Sequence, residues 1–574
     1  MIRAAFFLVV TALVATASVS ARETPPNVIV VITDDQGYGD LGAHGNTMIQ
    51  TPNLDKLYGH SVRLTDYHVD PTCSPTRSAL MTGRYSTRTG VWHTIMGRSI
   101  MSPKEHTLAE VFQDNGYQTG MFGKWHLGDN YPCRPADQGF TYTFHHGGGG
   151  VGQGPDYWGN DYFDDTYWRN GKVEPQTGYC TDVWFSDALR FIEKNRKRPF
   201  FAYISTNAPH GPYLVDKKYS QPYKDKGVGS PQAEFYGMIE NIDENVGRLV
   251  EKLAQLKLTE NTILVFTTDN GSAAGHRVIA GAKWQGFNAG MRAGKGSEYD
   301  GGHRVPFFVH WPQGELGGGR DVTQLSAHID VLPTLVDLCE LKDHASATRD
   351  GTSLKAALYG NEDVLRDRTL LVHSQRVEYP EKFRKCAVMT DRWRLVNNKE
   401  LFDIEKDPGQ KQNIADEHPE VVTRLAANYD AWWTSLSPVF DQFVRIGIGS
   451  RAEPESLLHA HDWHTEGNLT PWHQNHIRQG AMGTGYWALE ILQEGTYEIE
   501  LRRWPRQVNK PLDTVEATIE LAGQKMTIAI PDESTQAVTF EVQLPKGPAD
   551  LHTHMKLPNG KTRGSYFAYV KRIK

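Results

Sequence analysis

The fold of this chain is decided by residues 28–35, VIVVITDD. Five β-branched apolar residues run there without a polar break, which is typical of a strand buried on both faces of a sheet. Two carboxylates, Asp34 and Asp35, follow directly. Further apolar runs alternate with helix-like segments along the chain. We therefore expect an α/β fold with a mostly parallel sheet between two layers of helices.

A second apolar run ends in the same way as the first. Residues 263–270, ILVFTTDN, close on Asp269 and Asn270. Either pair alone is more typical of a helix cap or a turn. Ligands in such folds bind beyond the carboxyl ends of the strands, so the two pairs together predict a site for Ca²⁺ or Mg²⁺ rather than zinc. The other predicted strands lie at 200–204 and 305–310, and the predicted helices at 107–115, 181–194 and 234–256.

Residues 70–84, DPTCSPTRSALMTGR, predict a helix that begins beside Cys73. Ser74 fits the N-cap, Pro75 fits the first helical position, and the glycine of TGR fits the end. Cys73 would then lie just outside the helix N-terminus, where free N–H groups favour an anion. Arg77, in the first turn, can point to the same place. A lone cysteine is more typical of a buried core, but this setting favours a chemical role.

The bulk composition excludes several classes of function. With 574 residues the chain is long enough for more than one domain, and its net charge of −7 gives no basic face for nucleic acid or an anionic membrane. Five cysteines are too few for a disulfide framework. Whether Cys133 pairs with Cys180 is left open at this point.

The N-terminus has the pattern of an export signal. Arg3 precedes an apolar run over residues 4–15, and small residues continue to Ala21. The run is short for a membrane span, so residues 1–21 are predicted to be a removable signal peptide rather than an anchor helix. We expect an exported protein, periplasmic or extracellular, without a membrane anchor after removal of the signal.

The rest of the chain divides into three predicted regions: a catalytic α/β domain at 22–367, a small subdomain of short strands and one helix at 368–445, and an accessory β-rich region at 446–574. The last region shows strong period-two alternation from residue 486 onward, which predicts an antiparallel β module. The glycine-rich and aromatic stretch at 147–172 predicts a long surface excursion.

Several motifs, in order, resemble those of one enzyme family. They are CSPTR at 73–77 with TGR at 82–84, GKWHLG at 123–128, APHGP at 208–212 and GKGSEYDGGHRVP at 294–306. Together with the two metal pairs, they resemble the type I, formylglycine-dependent sulfatases of the alkaline phosphatase superfamily, including arylsulfatases. Thr76 stands where that family often has serine. The resemblance covers roughly residues 27–440.

The resemblance implies an alkaline-phosphatase-like fold, sulfate ester hydrolysis and a modified nucleophile. Cys73 would be converted to formylglycine (3-oxoalanine) by a formylglycine-generating or sulfatase-maturating enzyme. The resemblance implies one Ca²⁺, with Mg²⁺ as the alternative ion, held by Asp34, Asp35, Asp269, Asn270 and the modified residue 73. Arg77 and Lys124 would orient residue 73.

The implied reaction begins with the hydrated aldehyde, one hydroxyl of which attacks sulfur. Lys124, His210 and Lys295 would neutralise the sulfuryl oxygens, and His210 with Lys295 would protonate the leaving oxygen. His126 would take the proton of the second hydroxyl, which releases sulfate and restores the aldehyde. Each histidine or lysine taken alone would be more typical of a structural or solvated residue.

Export, the aromatic excursion and the β module favour a sulfated carbohydrate as substrate, such as an algal polysaccharide or a glycosaminoglycan fragment. Two other functions stay open: a phosphatase, phosphonate or phosphodiester hydrolase of the same superfamily, and a non-catalytic glycan-binding protein with unmodified Cys73. For His303 and Arg304, a structural role is the alternative to substrate binding. The candidate substrate-binding residues are Trp92, His93, His145, His146, Arg292, His303 and Arg304.

Overall fold

The structure is a computed structural model that describes residues 24–465, 467 and 469–574. The predicted signal peptide, residues 1–21, lies outside the described residues. Among the helices of the described part, none combines the length and apolarity needed to cross a bilayer.

The first region carries the large sheet and most of the helices. Its strands are β1 (Asn27–Thr33), β2 (Val62–Leu64), β3 (Tyr67–His68), β4 (Gln118–Lys124), β5 (Tyr142–His146), β6 (Thr166–Arg169), β7 (Lys172–Pro175), β8 (Phe200–Ser205), β9 (Thr262–Thr268), β10 (Phe307–His310), β11 (Arg320–Val322) and β12 (Ser326–Ala327). Its helices are α1 (Pro52–His60), α2 (Cys73–Thr82), α3 (Leu108–Asp114), α4 (Cys180–Asn195), α5 (Lys217–Asp225), α6 (Gln232–Gln255), α7 (Asp300–His303), α8 (Val331–Leu338) and α9 (Lys355–Leu358).

Ten of these strands form one sheet in the order β11-β2-β10-β9-β1-β8-β4-β5-β6-β7. The five central strands, from β9 to β5, run parallel to one another. The strand at 307–310 is antiparallel to β9. The structure therefore confirms the predicted α/β class, with antiparallel strands added on both sides of the parallel centre.

Strand β1 is buried on both faces, as its unbroken apolar run predicts. Val28, Val30 and Ile32 pack into the core shared with α2, α3 and α8. Ile29 and Val31 face the core shared with α1, α4 and α6. All five are at most 1% exposed, and burying each such side chain contributes roughly 1.5–3 kcal/mol before entropy is counted. This burial fixes the strand that carries the first carboxylate pair.

The register of the central strands brings their carboxyl ends to one edge. Thr33, the last residue of β1, pairs with Thr268, the last residue of β9. On the other side, Ile32 pairs with Ser205 of β8, and Ser205 pairs with Gly123 of β4. Four neighbouring strands thus end at the same level, where ligands bind in folds of this kind.

Two smaller regions follow. The four strands β13 (Leu370–His373), β14 (Cys386–Met389), β15 (Trp393–Val396) and β16 (Glu400–Asp403) form an antiparallel sheet against α10 (Pro419–Leu436). The remaining elements are β17 (Ile446–Ile448), β18 (Glu455–His459), α11 (Gln474–Gln479), β19 (Tyr486–Ile491), β20 (Gly495–Arg502), β21 (Glu516–Leu521), β22 (Gln524–Ala529), β23 (Val538–Leu544), β24 (Gly547–Lys556), β25 (Thr562–Arg563) and β26 (Phe567–Arg572). They form two sheets around one apolar core, which confirms the predicted extra β module.

The prediction of a surface excursion was wrong for residues 147–156, which are mostly buried. The segment lies between the large sheet and the C-terminal region: the N–H of Gly154 donates to the carbonyl of Trp472 at 2.8 Å. A Cβ on Gly147 would lie 2.2 Å from the carbonyl oxygen of Pro155. Glycine has no Cβ and permits this close approach, so a glycine-rich loop can be buried as well as exposed.

All five cysteines are free thiols in the structure. Cys133 packs in the core of the C-terminal region, whereas Cys180 packs beneath the large sheet. These two residues therefore do not form a disulfide.

Candidate active site

The site lies at the edge where β9, β1, β8 and β4 end. Asp34 and Asp35 follow β1, and Asp269 and Asn270 follow β9. Lys124 is the last residue of β4. Each of these five side chains thus begins at or next to the end of a buried strand, which holds its backbone in place.

The carboxylates and Cys73 form a compact cluster. Ligand atoms of Asp34, Asp35, Cys73 and Asp269 all lie within 4.8 Å of one another. The amide of Asn270 donates to Asp35 Oδ1 at 2.8 Å, while Asn270 Oδ1 and Asp34 Oδ1 are buried without a hydrogen-bond partner among the described residues. Buried polar atoms are normally paired, so these two oxygens fit a cation. With oxygen ligands in the majority, the donor set suits Ca²⁺ or Mg²⁺.

The electrostatics of the cluster agree with that fit. Burial and the neighbouring Asp269 raise the pKa of Asp34 to about 8. For Asp35 burial also raises the pKa, but the charges of Lys295 and His210 outweigh it and hold the pKa below its ordinary value. Concentrated negative charge away from water needs a positive partner, and a divalent ion at the unpaired oxygens would supply it.

Helix α2 begins earlier than the sequence predicted. Cys73 is its first residue, and the extended residue before it, Thr72, is the N-cap. The prediction of Ser74 as N-cap was wrong, because Ser74 is already the second residue of the helix. The N–H of Thr76 already bonds to the carbonyl of Thr72, so the helical pattern starts two residues sooner. Gly83 ends the helix at φ 63°, as predicted.

Arg77 ties the helix to the cluster. Its Nε and Nη2 donate to Asp269 Oδ2 at 3.0 and 2.7 Å, and its Nη1 donates to Ser205 Oγ and to the carbonyl of Lys124. Both charged groups of this pair are fully buried. The guanidinium therefore fixes α2 and its first residue against three strand ends.

Two lysines and Cys73 complete the floor of the site. Lys124 Nζ lies 2.6 Å from Asp34, and Lys295 Nζ lies 2.5 Å from Asp35 and 3.6 Å from Cys73 Sγ. Burial raises the pKa of the Cys73 thiol to about 12, despite the two lysines. The thiolate is the nucleophilic form, so an unmodified Cys73 would be a weak nucleophile at neutral pH.

Two histidines face the same cavity. His126 Nε2 donates to the carbonyl of Thr94 at 2.9 Å, and its Nδ1 has no hydrogen-bond partner in the described part of the chain. His210 Nδ1 donates to the carbonyl of Gly211 at 2.7 Å, so its Nε2 is directed away from that bond and lies 3.8 Å from Asp35. Burial lowers the pKa of both rings, of His210 to about 4, with further lowering from the lysines. Each histidine thus carries one unprotonated nitrogen available to a ligand.

The cavity above the floor has a volume of about 690 Å³. Of the seven candidate substrate-binding residues, His93 is the one found among the described residues that line it. Trp92 is buried against Arg98 and donates to the carbonyl of Val377. Arg292 stacks on Tyr299. These contacts favour structural roles for Trp92 and Arg292.

The other four candidates also have their own contacts. His303 Nδ1 lies 2.8 Å from His68 Nδ1, in a buried network with Asp66, Asp300 and Arg394. Arg304 donates to the carbonyl of Thr65. His145 stacks on Trp168, and His146 bonds to the carbonyl of Gly147.

Several residues that line the cavity were not predicted from the sequence, among them Arg277, Arg376, Lys385 and Trp472. They come from three loops that are far apart in the chain and belong to no recognisable motif. Trp472 comes from the C-terminal region, in which the sequence predicted no residue of the site. Only the folded arrangement of the three regions brings these residues together.

Comparisons with known proteins give a consistent result. A family model described as Sulfatase matches residues 26–341, and a model described as N-sulphoglucosamine sulphohydrolase, C-terminal, matches residues 294–431. The N-acetylgalactosamine-6-sulfatase of Canis lupus familiaris is 32% identical over 376 residues, covering 61% of this chain and 68% of that protein. The Homo sapiens protein of the same name is 30% identical over 478 residues, covering 74% and 88%.

Solved structures agree with the sequence relatives. The crystal structure of Ps i-CgsB in complex with k-i-k-neocarrahexaose has a TM-score of 0.64 and 28% sequence identity. The match covers 71% of this chain and 93% of that chain.

Proposed function

Because this chain belongs to the sulfatase family and is a sulfuric ester hydrolase, we propose that it acts through a formylglycine made from Cys73, with a bound Ca²⁺, on a sulfated carbohydrate. The observation that carries the proposal is the position of residue 73. Its Sγ lies within 4.8 Å of carboxylate oxygens from two strands and 3.6 Å from the ammonium of Lys295. A group on this carbon would be held between a cation site and a fixed positive charge.

The chemistry of the thiol itself supports the modification. A buried Cys73 with a raised pKa is a poor nucleophile, although it stands at the centre of the site. A hydrated aldehyde at this position would carry two hydroxyls, one to attack and one to lose a proton. Conversion would require a maturation enzyme that recognises the sequence around Cys73.

A bound Ca²⁺ would supply positive charge that lowers the pKa of a nearby hydroxyl and neutralises oxygens of the sulfate. The fitting ligands are Asp34, Asp35, Asp269 and Asn270, two of which present unpaired buried oxygens.

The chain's own residues divide the remaining work. Lys124 and Lys295 lie at the floor and can bind sulfate oxygens. His126, with a free Nδ1, can accept the proton of the second hydroxyl. Lys295, which faces His210 across Asp35, is protonated and can supply the proton for the departing alcohol; His210 Nε2 can deliver a proton only after taking one up.

A sulfated carbohydrate is supported by the relatives. Two of them are named N-acetylgalactosamine-6-sulfatase, and a structural relative was solved with k-i-k-neocarrahexaose. The cavity of about 690 Å³ is in the usual range for ligand pockets and exceeds the need of one sulfate group.

The proposal is tested by mass analysis and by two variants of residue 73. Intact-mass analysis of protein made with a maturation enzyme should show loss of the thiol sulfur. Cys73→Ala should abolish hydrolysis of 4-nitrophenyl sulfate, and Cys73→Ser should do the same because a single hydroxyl has no second proton to lose. Full activity with the thiol sulfur retained would overturn the proposal.

The same preparation separates sulfatase from phosphatase action. We expect hydrolysis of 4-nitrophenyl sulfate well above that of 4-nitrophenyl phosphate. A preference for the phosphate would instead favour the phosphatase and phosphonate hydrolases of the superfamily.

A further inference from the structure

The catalytic cavity extends well beyond the floor that the proposed reaction uses. Lys124, Lys295 and His210 surround the nucleophile, and the reacting sulfate occupies only that end. The remaining space reaches walls formed by the small subdomain and by the C-terminal region. A substrate that fills it must carry more than the sulfated sugar residue itself.

Three cations line this outer part of the cavity. Arg277 comes from the loop between β9 and α7, and Arg376 and Lys385 come from the loop between β13 and β14. All three side chains are exposed. Among the ion pairs found within the described residues, none joins any of the three to a carboxylate. By contrast, the floor cations Lys124 and Lys295 are both paired with aspartates.

The outer cations lie close to the floor and to other lining residues. Lys385 Nζ is 3.5 Å from the carbonyl of Gly296, the residue next to Lys295. Burial lowers the pKa of His93, and Arg376 is near enough for its charge to lower the pKa of that ring further. The carboxylate that lines the cavity, Glu298, is engaged by the amide of Asn397 at 2.7 Å. The outer cavity therefore carries excess positive charge.

Within the part of the chain that the structure describes, the long contact of Lys385 with the carbonyl of Gly296 is the one side-chain hydrogen bond found for these three cations. Arg292, in the same loop as Arg277, is by contrast an arginine with structural contacts, since it stacks on Tyr299 and donates to the carbonyl of Gln410. The guanidinium group of a free arginine matches a carboxylate or a sulfate in two parallel hydrogen bonds. A saccharide with a second anionic group would place that group here when its sulfate reaches the floor.

We propose that Arg277, Arg376 and Lys385 form a second anion-binding site, which holds a sulfate or carboxylate on the sugar residue next to the one that is desulfated. The inference rests on the proposed function, because it takes the substrate to be a saccharide. It narrows the substrate class to oligosaccharides or polysaccharides with at least two anionic groups.

The test compares two substrates in the double variant R376Q/K385Q. For an oligosaccharide with two or more sulfates, KM should rise at least about tenfold with little change in kcat, since a charged hydrogen bond is worth about 1.5–3 kcal/mol. For 4-nitrophenyl sulfate, which has no second anion, kcat/KM should stay unchanged. Added NaCl should raise the oligosaccharide KM of the wild type more than that of the variant.

The matched control is R424Q/K406Q, which removes the same charge from exposed positions of the same subdomain outside the cavity. It should leave both KM values unchanged. A monosulfated oligosaccharide with a uronate neighbour, compared with a disulfated one, tells whether the second site takes a carboxylate or a sulfate.

A binding measurement keeps the inference independent of turnover. The Cys73→Ala protein should bind the polyanionic oligosaccharide, and adding R376Q/K385Q should raise its Kd at least about tenfold. An unchanged Kd, or an equal loss of activity on 4-nitrophenyl sulfate, would overturn the second site. Failure of the proposed function would show differently, as a wild-type protein that hydrolyses no sulfate ester.

Discussion

At the scale of single residues, two unpaired oxygens are the most informative feature of the site. Asp34 Oδ1 and Asn270 Oδ1 are buried among carboxylates and accept no hydrogen bond from the residues that the structure describes. A protein rarely leaves such atoms without a partner, because each costs free energy when removed from water. A cation satisfies both oxygens and offsets the raised pKa of Asp34 at the same time.

We therefore expect removal of the metal to lower both stability and activity. Chelation should reduce the Tm and the rate on 4-nitrophenyl sulfate, and Ca²⁺ should restore both. Asn270→Ala should raise the Ca²⁺ concentration that gives half of the maximal increase in Tm. The rise should be at least about tenfold, because one ligand and its bond to Asp35 are lost. The control Asn428→Ala, on α10, should keep the wild-type midpoint, and an unchanged midpoint in both variants would argue against a metal ligand at 270.

At the scale of elements, the glycine tract at 147–150 shapes the site from the side. Gly149 packs against the ring of His126, which is held by the carbonyl of Thr94. A Cβ on Gly149 would lie 2.1 Å from ring atoms of His126, closer than real side chains approach. The backbone of this loop thus fixes the orientation of a proposed base.

Gly149→Ala should therefore lower kcat on 4-nitrophenyl sulfate by at least about tenfold, since displacing a positioned acid–base group forfeits much of its roughly 10²–10⁴-fold contribution. The Tm of this variant should fall only slightly. Gly59→Ala, in α1, has open space around the new Cβ and should keep full activity, with a slight gain in stability. Equal activity of the two variants would contradict the packing argument.

At the scale of the whole molecule, three regions meet around one cavity. The catalytic sheet supplies the floor, the small subdomain supplies Arg376 and Lys385, and the C-terminal region supplies Trp472. A buried cluster joins all three regions: Arg98 of the catalytic region and His464 of the C-terminal region both contact Glu378 of the small subdomain. Contacts between the regions therefore matter for substrate binding as well as for stability.

His373 makes one such contact and should render stability dependent on pH. Its Nε2 donates to Thr87 Oγ1 at 2.7 Å, its Nδ1 accepts from Gln375, and Asp70 is near enough to raise its pKa slightly. Burial nevertheless lowers the pKa of His373 to about 4. Between pH 6.5 and 4 the unfolded chain binds a proton that the folded protein does not, so stability falls as the pH falls.

From pH 7 to pH 5 this residue should account for about 2 kcal/mol of lost stability. The variant His373→Gln cannot take up that proton, so its Tm should fall less than the wild-type Tm over the same range. The comparison uses the change with pH, because the substitution also alters packing. Parallel Tm curves for the two proteins would show that His373 is not protonated on unfolding.

The sequence by itself determined the sheet, because an uninterrupted β-branched run such as 28–32 is stable only when both faces are covered. It also determined which residues to expect at the strand ends, since motif residues directly follow the predicted strands. The local start of α2 was misjudged by two residues because Thr72 and Ser74 are both suitable caps in sequence, and only the backbone conformation distinguishes them.

Only the tertiary structure decided what surrounds that floor. The burial of residues 147–156, the contacts of His303 and Arg304 away from the cavity, and the arrival of Arg376, Lys385 and Trp472 all depend on packing between distant segments. Local periodicity records which face of an element is apolar, but it holds no information on which distant loop will cover it. For that reason the chemistry of the floor was predictable, whereas the walls that select a substrate were not.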